Sequence, residues 1–429
     1  MNMKKNVLSR REFLKECGLL AGATAVATSF PWMTALSEEN QKATDGEKLR
    51  VAVIGPGSRG RYHLNFLVRN PKVEVTWLCD VYQPSLDKAL AIAPGAKTCK
   101  DYREVLDDPE VDAIYVVTPL DTHKQITVDA FEAGKHVFCE KSLSHNCADA
   151  LEMYNAHLRT GKVFFVGQQR LYDPYYLEAI RMIEEGMFGP IEGIKTFWYR
   201  NADWRREVPS PELERLINWR LYREHSCGLM TELACHQVQL GTWIYKDIPE
   251  TIMGSGAITF WKDGREVEDN VNVIYTYKDG RRVSFESIIS NKFYGLEEQI
   301  MGHLGTVEPE KGKYYFEQTP PMPGFLRMIN DLEKDIYGDL SFAGPSWDPE
   351  IARQNHGEFI LGRKRPPRND GSGYLNDAFV EASLTGKQPP MVAEEGYYAT
   401  IMSLLGQQAI DEKRIIAFPE EFKIDYNYR

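Results

Sequence analysis

The chain has 429 residues, 43% of them apolar and 26% charged, and a formal net charge of −11. That length accommodates two domains, each with a full core, and the composition is that of an ordinary globular protein without repeats or low-complexity tracts. The acidic balance, with no basic run in the body of the chain, excludes a nucleic-acid partner. The first element is a targeting segment. Ser9-Arg10-Arg11-Glu12-Phe13-Leu14-Lys15 is a twin-arginine pattern, followed by a small, mildly apolar stretch from Gly18 to Phe30 and a polar stretch from Ser37. Gly18 to Phe30 is too short and too rich in Gly and Ala to span a bilayer. Residues 1–37 therefore read as a signal for the twin-arginine export machinery, with cleavage between Ala35 and Asn40, a periplasmic destination and no stable membrane insertion. Cargo of that route folds before export in a reducing compartment. The six cysteines beyond the signal accordingly imply no disulfide framework, and Cys79 and Cys139 fall in apolar runs where they behave as small hydrophobes.

The apolar run Leu49–Ile54 reads as a buried parallel strand. Gly55, Gly57 and Gly60 follow in G-x-G-x-x-G spacing and lead at once into a helical pattern. The three glycines serve in turn a tight turn, the close approach of backbone to a diphosphate, and close helix–strand packing. The helix N-terminus beyond them, at Ser58 and Arg59, presents unpaired N–H groups and a positive dipole end. A second strand, Val73–Leu78, ends at Cys79-Asp80, about 20 residues past the glycines, where a carboxylate bonds a ribose 2′-OH. Asp80 would repel a 2′-phosphate, so the cofactor expected is NAD(H) rather than NADP(H).

Helices and strands then alternate. Helices are predicted at 85–93, 102–106, 122–133 and 148–158, and strands at 113–118, 136–139 and 163–166, which specifies a doubly wound parallel sheet over residues 46–167. Residues 168–429 have a different rhythm, with a helix at 176–185 and strands at 193–199, 251–261, 271–277 and 282–289. Turn signals at Lys262-Asp263-Gly264 and Lys278-Asp279-Gly280 make this second sheet mostly antiparallel. Phe197, Tyr199, Phe260, Tyr275 and Tyr277 lie on or near its strands, more apolar surface than one layer of helices covers, which points to a homo-oligomer. Gly338–Gly373 lacks period and reads as a long excursion or lid, and a final helix covers 394–412.

In a doubly wound sheet the ligand lies beyond the carboxyl ends of the strands. Thr118, Pro119 and His123 fall there, as do Glu140, Lys141 and Ser142, and Gln169 with Arg170. Lys141 can hydrogen-bond a substrate hydroxyl beside a nicotinamide. In the second domain Glu232 and His236 are spaced i, i+4 on one predicted helix, so the carboxylate would orient the imidazole as a general base. Trp204, Arg205, Arg206, Trp219 and Arg220 suit either a sugar cleft or a solvated loop. No metal-ligand spacing is present, so no metal is expected.

Six motifs in order carry a resemblance: VAVIGPGSRG, VTPLDTH, AGKHVFCEKSL, GQQRLYDP, EEGMFGPI and the helix with Glu232 and His236. Over nearly the whole mature chain they resemble the glucose–fructose oxidoreductase/inositol dehydrogenase (Gfo/Idh/MocA) family. The resemblance implies a Rossmann domain plus an α/β domain with an open sheet, and hydride transfer at a sugar or cyclitol carbon. It maps the family's catalytic lysine to Lys141 and its Asp-x-x-x-His pair to Glu232 and His236. It differs at Ser142, where the family has proline, and at Glu232, one methylene longer than the family's aspartate. The expected cofactor contacts are Gly55, Gly57, Ser58, Arg59, Gly60, Asp80, Thr118, Pro119, His123, Glu140 and Gln169. The expected substrate contacts are Lys141, Arg170, Tyr172, Trp219, Arg220 and His236. Asn218-Trp219-Arg220-Leu221 is similar to a family branch that hydrolyses glycosides through transient oxidation by bound NAD, although that branch's His-Gly is His236-Gln237 here. A redox-neutral glycosidase is therefore the alternative to an exported NAD(H)-dependent oxidoreductase, and a sugar-binding protein with a relic nucleotide site is a third reading.

Overall fold

The computed structural model describes residues 48–317, 357–366 and 370–426, with Met328, Leu332 and Ile336. The twin-arginine segment and residues 338–356 of the expected excursion lie outside the described residues. The first half builds a six-stranded sheet: β1 (Leu49–Ile54), β2 (Val73–Cys79), β3 (Lys97–Cys99), β4 (Ala113–Val116), β5 (His136–Cys139) and β6 (Phe164–Val166). Helices α1 (Ser58–Leu67), α2 (Gln83–Leu90), α3 (Tyr102–Leu106), α4 (Leu120–Glu132) and α5 (Cys147–Thr160) connect them. The order is β3-β2-β1-β4-β5-β6, with every pairing parallel. Val51, Ala52 and Val53 are fully buried, as are all four residues of β4, because helices cover both faces of such a sheet. The order reverses between β1 and β4, and a crevice opens at their carboxyl ends.

After α6 (Pro174–Glu184), the strand β7 (Ile191–Asn201) begins the second sheet. A single turn of i→i+5 helix (Met230–Ala234) runs directly into α7 (Cys235–Tyr245). Strands β8 (Thr251–Ala257), β9 (Asn270–Thr276), β10 (Arg282–Ile288), β11 (Ser290–Gly302), β12 (Gly305–Glu308), β13 (Lys313–Phe316), β14 (Glu358–Phe359) and β15 (Ile416–Ala417) complete a nine-stranded sheet. Among the described strands of this sheet only β7 and β10 pair in parallel, since the connection between them is long enough to cross over. Lys278-Asp279-Gly280 makes the tight β9–β10 turn, with Gly280 at φ +88. Lys262-Asp263-Gly264 sits instead in a longer β8–β9 connection, where the Asp263 carboxylate bonds Arg205 and Arg265.

The aromatic count overstated the uncovered face of this sheet. Tyr275 and Tyr277 point into the core at 0% and 1% exposure, and Tyr199 is buried, while Phe260 is exposed. Phe293 and Tyr294, which lie near the start of β11, add exposed aromatic surface that the strand pattern did not place there. Helices α8 (Ser372–Thr385) and α9 (Val392–Glu412) follow. Helix α8 packs on the parallel sheet, and α9 bridges the two sheets. The Asn376 amide of α8 bonds the His63 ring, and a Cβ on Gly396 of α9 would overlap Val166 of β6. Farther along, α9 packs on the second sheet, where the Tyr275 hydroxyl bonds the Met402 carbonyl and a Cβ on Gly254 of β8 would lie 3.1 Å from Ile410, so the division at 167/168 separates the two sheets while α8 returns to the first. Among the described residues no helix is long and apolar enough to cross a membrane.

Candidate active site

The cleft at the reversal point has a volume of about 1330 Å³. A pocket for one drug-sized ligand has roughly 300–1,000 Å³, so the space suits a dinucleotide with a small second ligand. Its floor is the glycine-rich turn. Gly55 has φ +82, and a Cβ there would lie 2.5 Å from the Val117 carbonyl. A Cβ on Gly60 would lie 2.5 Å from the Gly55 carbonyl, which is the close packing of α1 on β1. At Gly57 a Cβ would meet nothing nearer than 4.0 Å, because that position faces the open cleft. Gly57 caps α1 with no side-chain hydrogen bond, which leaves the first N–H groups of the helix to a ligand. This cradle fits a dinucleotide diphosphate.

Asp80 lies on the cleft wall, half-buried, and accepts a 2.8 Å bond from the Tyr82 N–H. Burial raises its pKa, against the Tyr82 N–H and the nearby Arg61. That neighbour sharpens the expected selectivity: Asp80→Ser should weaken NAD binding and, by leaving Arg61 unopposed, strengthen NADP binding. Titrating both cofactors against both proteins checks this; equal wild-type affinity for the two would remove Asp80 as the selector.

The Glu140 carboxylate is turned inward. It accepts Arg59 Nε at 2.6 Å, His63 Nε2 at 2.7 Å and the Lys141 N–H at 3.0 Å. Burial favours its neutral form, but Arg59 and His63 prevail and hold the carboxyl well below the usual range. Burial lowers His63, so it donates from Nε2 and accepts from Asn376 at Nδ1. Arg59 also bonds Ser372 Oγ at 3.4 Å. Glu140 and Arg59 line the cleft but spend their charge on each other, and they tie the strand ends to α8.

His123 is likewise committed. Its ring nitrogens face the Ser142 and Thr118 carbonyls at 3.0 and 2.9 Å, joining the loops after β4 and β5. Burial lowers its pKa, and neither nitrogen is left for a ligand. Thr118, Pro119 and Gln169 line the cleft, and Gln169 Oε1 is buried with no partner among the described residues.

The reacting end of the cleft lies where β5 meets the second domain. The Lys141–Ser142 peptide is cis. Lys141 Nζ donates to the Glu232 carbonyl at 2.8 Å, and Ser142 Oγ to the Thr231 carbonyl at 3.0 Å. From the loop after β6, Gln168 reaches the Cys235 carbonyl at 3.2 Å and Arg170 the His236 carbonyl at 2.8 Å. Four side chains from the strand-end loops thus seize the backbone around the widened turn. The expected Glu232–His236 bond is not made among the described residues: a spacing of four shares a side in either kind of turn, but a cation from outside the helix claims the carboxylate. Glu232 Oε2 accepts Arg220 Nε at 2.7 Å instead, while the His236 ring lies 5.6 Å from that of Trp198. Glu232 Oε1 and His236 Nδ1 are buried without partners among the described residues, and both residues line the cleft beside Lys141. Burial, then Lys141 and Arg170, push His236 far down, so its imidazole is neutral.

Two expected substrate residues lie elsewhere. Arg170 is 5% exposed, with its guanidinium 2.7 Å from the Glu298 carboxylate, and does not line the cleft. Tyr172 stacks on Phe165 in the core, with ring centroids 6.0 Å apart. Trp219 and Arg220 do line it, with the guanidinium 4.1 Å above the indole. Of the other arginines between β7 and α7, Arg205 pairs with Glu214 and Asp263, whereas Arg206 reaches the cleft. Among the cleft residues, Arg61 and Asp121 were not singled out in the sequence, and His225 drew attention there only for a metal reading that its spacing did not support. The Asp121 carboxylate and the His225 ring approach to 3.1 Å, and only the fold brings them together.

A dinucleotide cradle with an NAD-selecting carboxylate, closed by a second domain that brings a histidine to the strand-end lysine, defines an NAD-dependent oxidoreductase. Residues 49–168 match the model of the Gfo/Idh/MocA oxidoreductase family with its NAD-binding Rossmann fold, and residues 176–308 match that family's C-terminal domain. An inositol 2-dehydrogenase of Gluconacetobacter diazotrophicus is 33% identical over 82% of this chain and 99% of its own. A myo-inositol 2-dehydrogenase of Thermotoga maritima is 23% identical over 87% and 99% respectively. Among solved structures, levoglucosan dehydrogenase with NADH and levoglucosan superposes with TM-score 0.67 over 87% of this chain and 100% of its own, at 18% identity. The chain belongs to the Gfo/Idh/MocA family of oxidoreductases.

Proposed function

We propose that the protein is exported and oxidises or reduces a hydroxyl-bearing carbon of a sugar, glycoside or cyclitol with an NAD that stays bound. The observation that carries this reading is the convergence of Lys141, His236 and Glu232 at the inner end of the cleft, two of them with unsatisfied buried atoms. A buried polar atom without a partner is costly, and substrate hydroxyls relieve that cost. Bound NAD supplies the hydride acceptor. The neutral His236 imidazole takes the hydroxyl proton as the carbon is oxidised. Lys141, anchored on the Glu232 carbonyl, donates a hydrogen bond to the oxygen as it becomes a carbonyl, and Glu232 accepts from a neighbouring hydroxyl. The family relatives named above are dehydrogenases, which supports net oxidation over the redox-neutral glycosidase. Assay of the purified protein against sugars, cyclitols and glycosides, recording cofactor absorbance and product mass together, tests the choice. Hydrolysed glycoside with no net absorbance change would select the glycosidase.

Retention follows from the export signal, because no evident pool of NAD lies outside the cytoplasm, whereas cargo exported folded carries its ligand. Of the two covers that the sequence suggests, the segment before β1 and the long excursion, the described part of the excursion does not line the cleft; residues 206–225 supply part of its wall. Protein purified without added nucleotide and then denatured should release near-stoichiometric NAD. An empty site with rapid exchange would overturn retention.

The exposed aromatic residues of the second sheet support self-association. Light scattering at micromolar concentration should give a dimer or tetramer, and a strictly monomeric mass would reject it.

A further inference from the structure

The segment between β7 and α7 carries a feature that hydride transfer does not use. Asn218, 2% exposed, grips the backbone of Arg206 from both sides: its Oδ1 accepts the Arg206 N–H at 2.8 Å, and its Nδ2 donates to the Arg206 carbonyl at 3.0 Å. The same amide donates to Glu214, which is fixed in turn by Arg205 and Tyr222. Asn218 is two residues from Arg220, so this clamp ties the Arg206 backbone to the segment that carries Arg220, and both arginines line the cleft. Arg220 is held flat on Trp219 and gives its Nε to Glu232, which leaves its two terminal nitrogens without partners among the described residues. The exposed Arg206 guanidinium has no ion-pair or hydrogen-bond partner at all among the described residues, although its backbone is fixed at both ends. Burial and the nearby Arg220 and Arg61 all lower its pKa. Glu232 thus pairs with Arg220 alone, and the unpaired charge of Arg206 faces a cleft that must admit a small polar molecule.

We infer that Arg206 and Arg220 form an anion subsite for an acidic group of the substrate, a carboxylate or a phosphate, carried by the same small molecule whose hydroxyl meets His236 and Lys141. This rests on the proposed sugar-oxidoreductase reading and narrows its substrate class to acidic sugars or cyclitols. Two guanidinium forks are matched to an oxyanion. The cofactor's diphosphate is the other available anion, but it already has the N-terminus of α1. Arg220 ties the subsite directly to Glu232, next to the reacting hydroxyl.

The test compares the wild type with Arg206→Gln, which removes the charge from an exposed side chain and leaves the Asn218 clamp on the backbone intact. The readouts are kcat/KM for a neutral sugar and for its uronate and 6-phosphate, the NAD content after purification, and the thermal shift of the holoprotein with added glucuronate or sugar phosphate. Wild type should prefer an acidic member, and Arg206→Gln should lose about ten- to a hundredfold on it, the usual scale of a charged hydrogen bond. Turnover of the neutral sugar and bound NAD should stay unchanged. Equal losses on neutral and acidic sugars, or no preference in the wild type, would overturn the subsite. Loss of NAD with sugar selectivity unaltered would reassign the anion to the cofactor and overturn the substrate inference. The thermal shift separates the subsite from the reaction: stabilisation of wild type but not Arg206→Gln supports it even if no sugar is turned over, and no shift in either overturns it.

Discussion

Lys141→Ala and His236→Ala should each lower kcat by about two to four orders of magnitude, the scale of a positioned acid–base group. Both residues reach the inner end of the cleft from different domains, and both serve one hydroxyl. The double variant should therefore fall far short of the product of the single losses. The structure adds a second readout. Lys141 anchors on the Glu232 carbonyl, so its loss also removes one of four side-chain bonds to the widened turn. Lys141→Arg retains the charge and donor capacity but not the point geometry, and should restore domain contact more than turnover. Near wild-type turnover in His236→Ala would refute the base assignment. His123 is then a poor substitute, since backbone carbonyls occupy both of its ring nitrogens.

Arg170→Met should destabilise the fold by about 3–5 kcal/mol, the range for removing one partner of a buried ion pair. Arg170 bonds Glu298 and also holds the His236 carbonyl, and Gln237 Nε2 donates to the same Glu298 carboxylate at 2.9 Å. Losing the guanidinium leaves Glu298 buried with Gln237 and Tyr176 but, among the described residues, no cation at hydrogen-bond distance. Urea denaturation reads the loss. A fully stable Arg170→Met protein with a raised KM would return Arg170 to the substrate site that its sequence position suggests.

Sequence position failed at Arg170 for an instructive reason. The residue does follow a strand end, where ligands bind, but the strand-end rule gives a region and not a direction. A short 3-10 turn over Gln169–Tyr172 sends Gln169 to the cleft and Arg170 away from it. Nothing local in Gly167-Gln168-Gln169-Arg170 distinguishes the two. Glu232 and His236 posed the same problem, since spacing within a helix cannot show that Arg220, from outside it, takes the carboxylate.

What the sequence determined by itself was whatever depends on neighbours in the chain. The glycine spacing specifies a turn that only glycine enters, so the cradle was legible from Gly55, Gly57 and Gly60. Asp80 follows because strand length fixes its distance from that turn, and the strand–helix alternation specified a doubly wound parallel sheet, though not its order or the short β3. Lys141 was legible from its place at the end of β5. The tertiary structure decided what depends on residues far apart. The return of α8 to the parallel sheet rests on contacts such as Asn376 with His63, 313 residues away. The inward turn of Glu140 needs Arg59 and His63, and the clamp on Arg206 needs Asn218. In each case a buried charge or amide chose its partner by burial, because an unsatisfied polar group in the interior costs more than any local conformational preference offers.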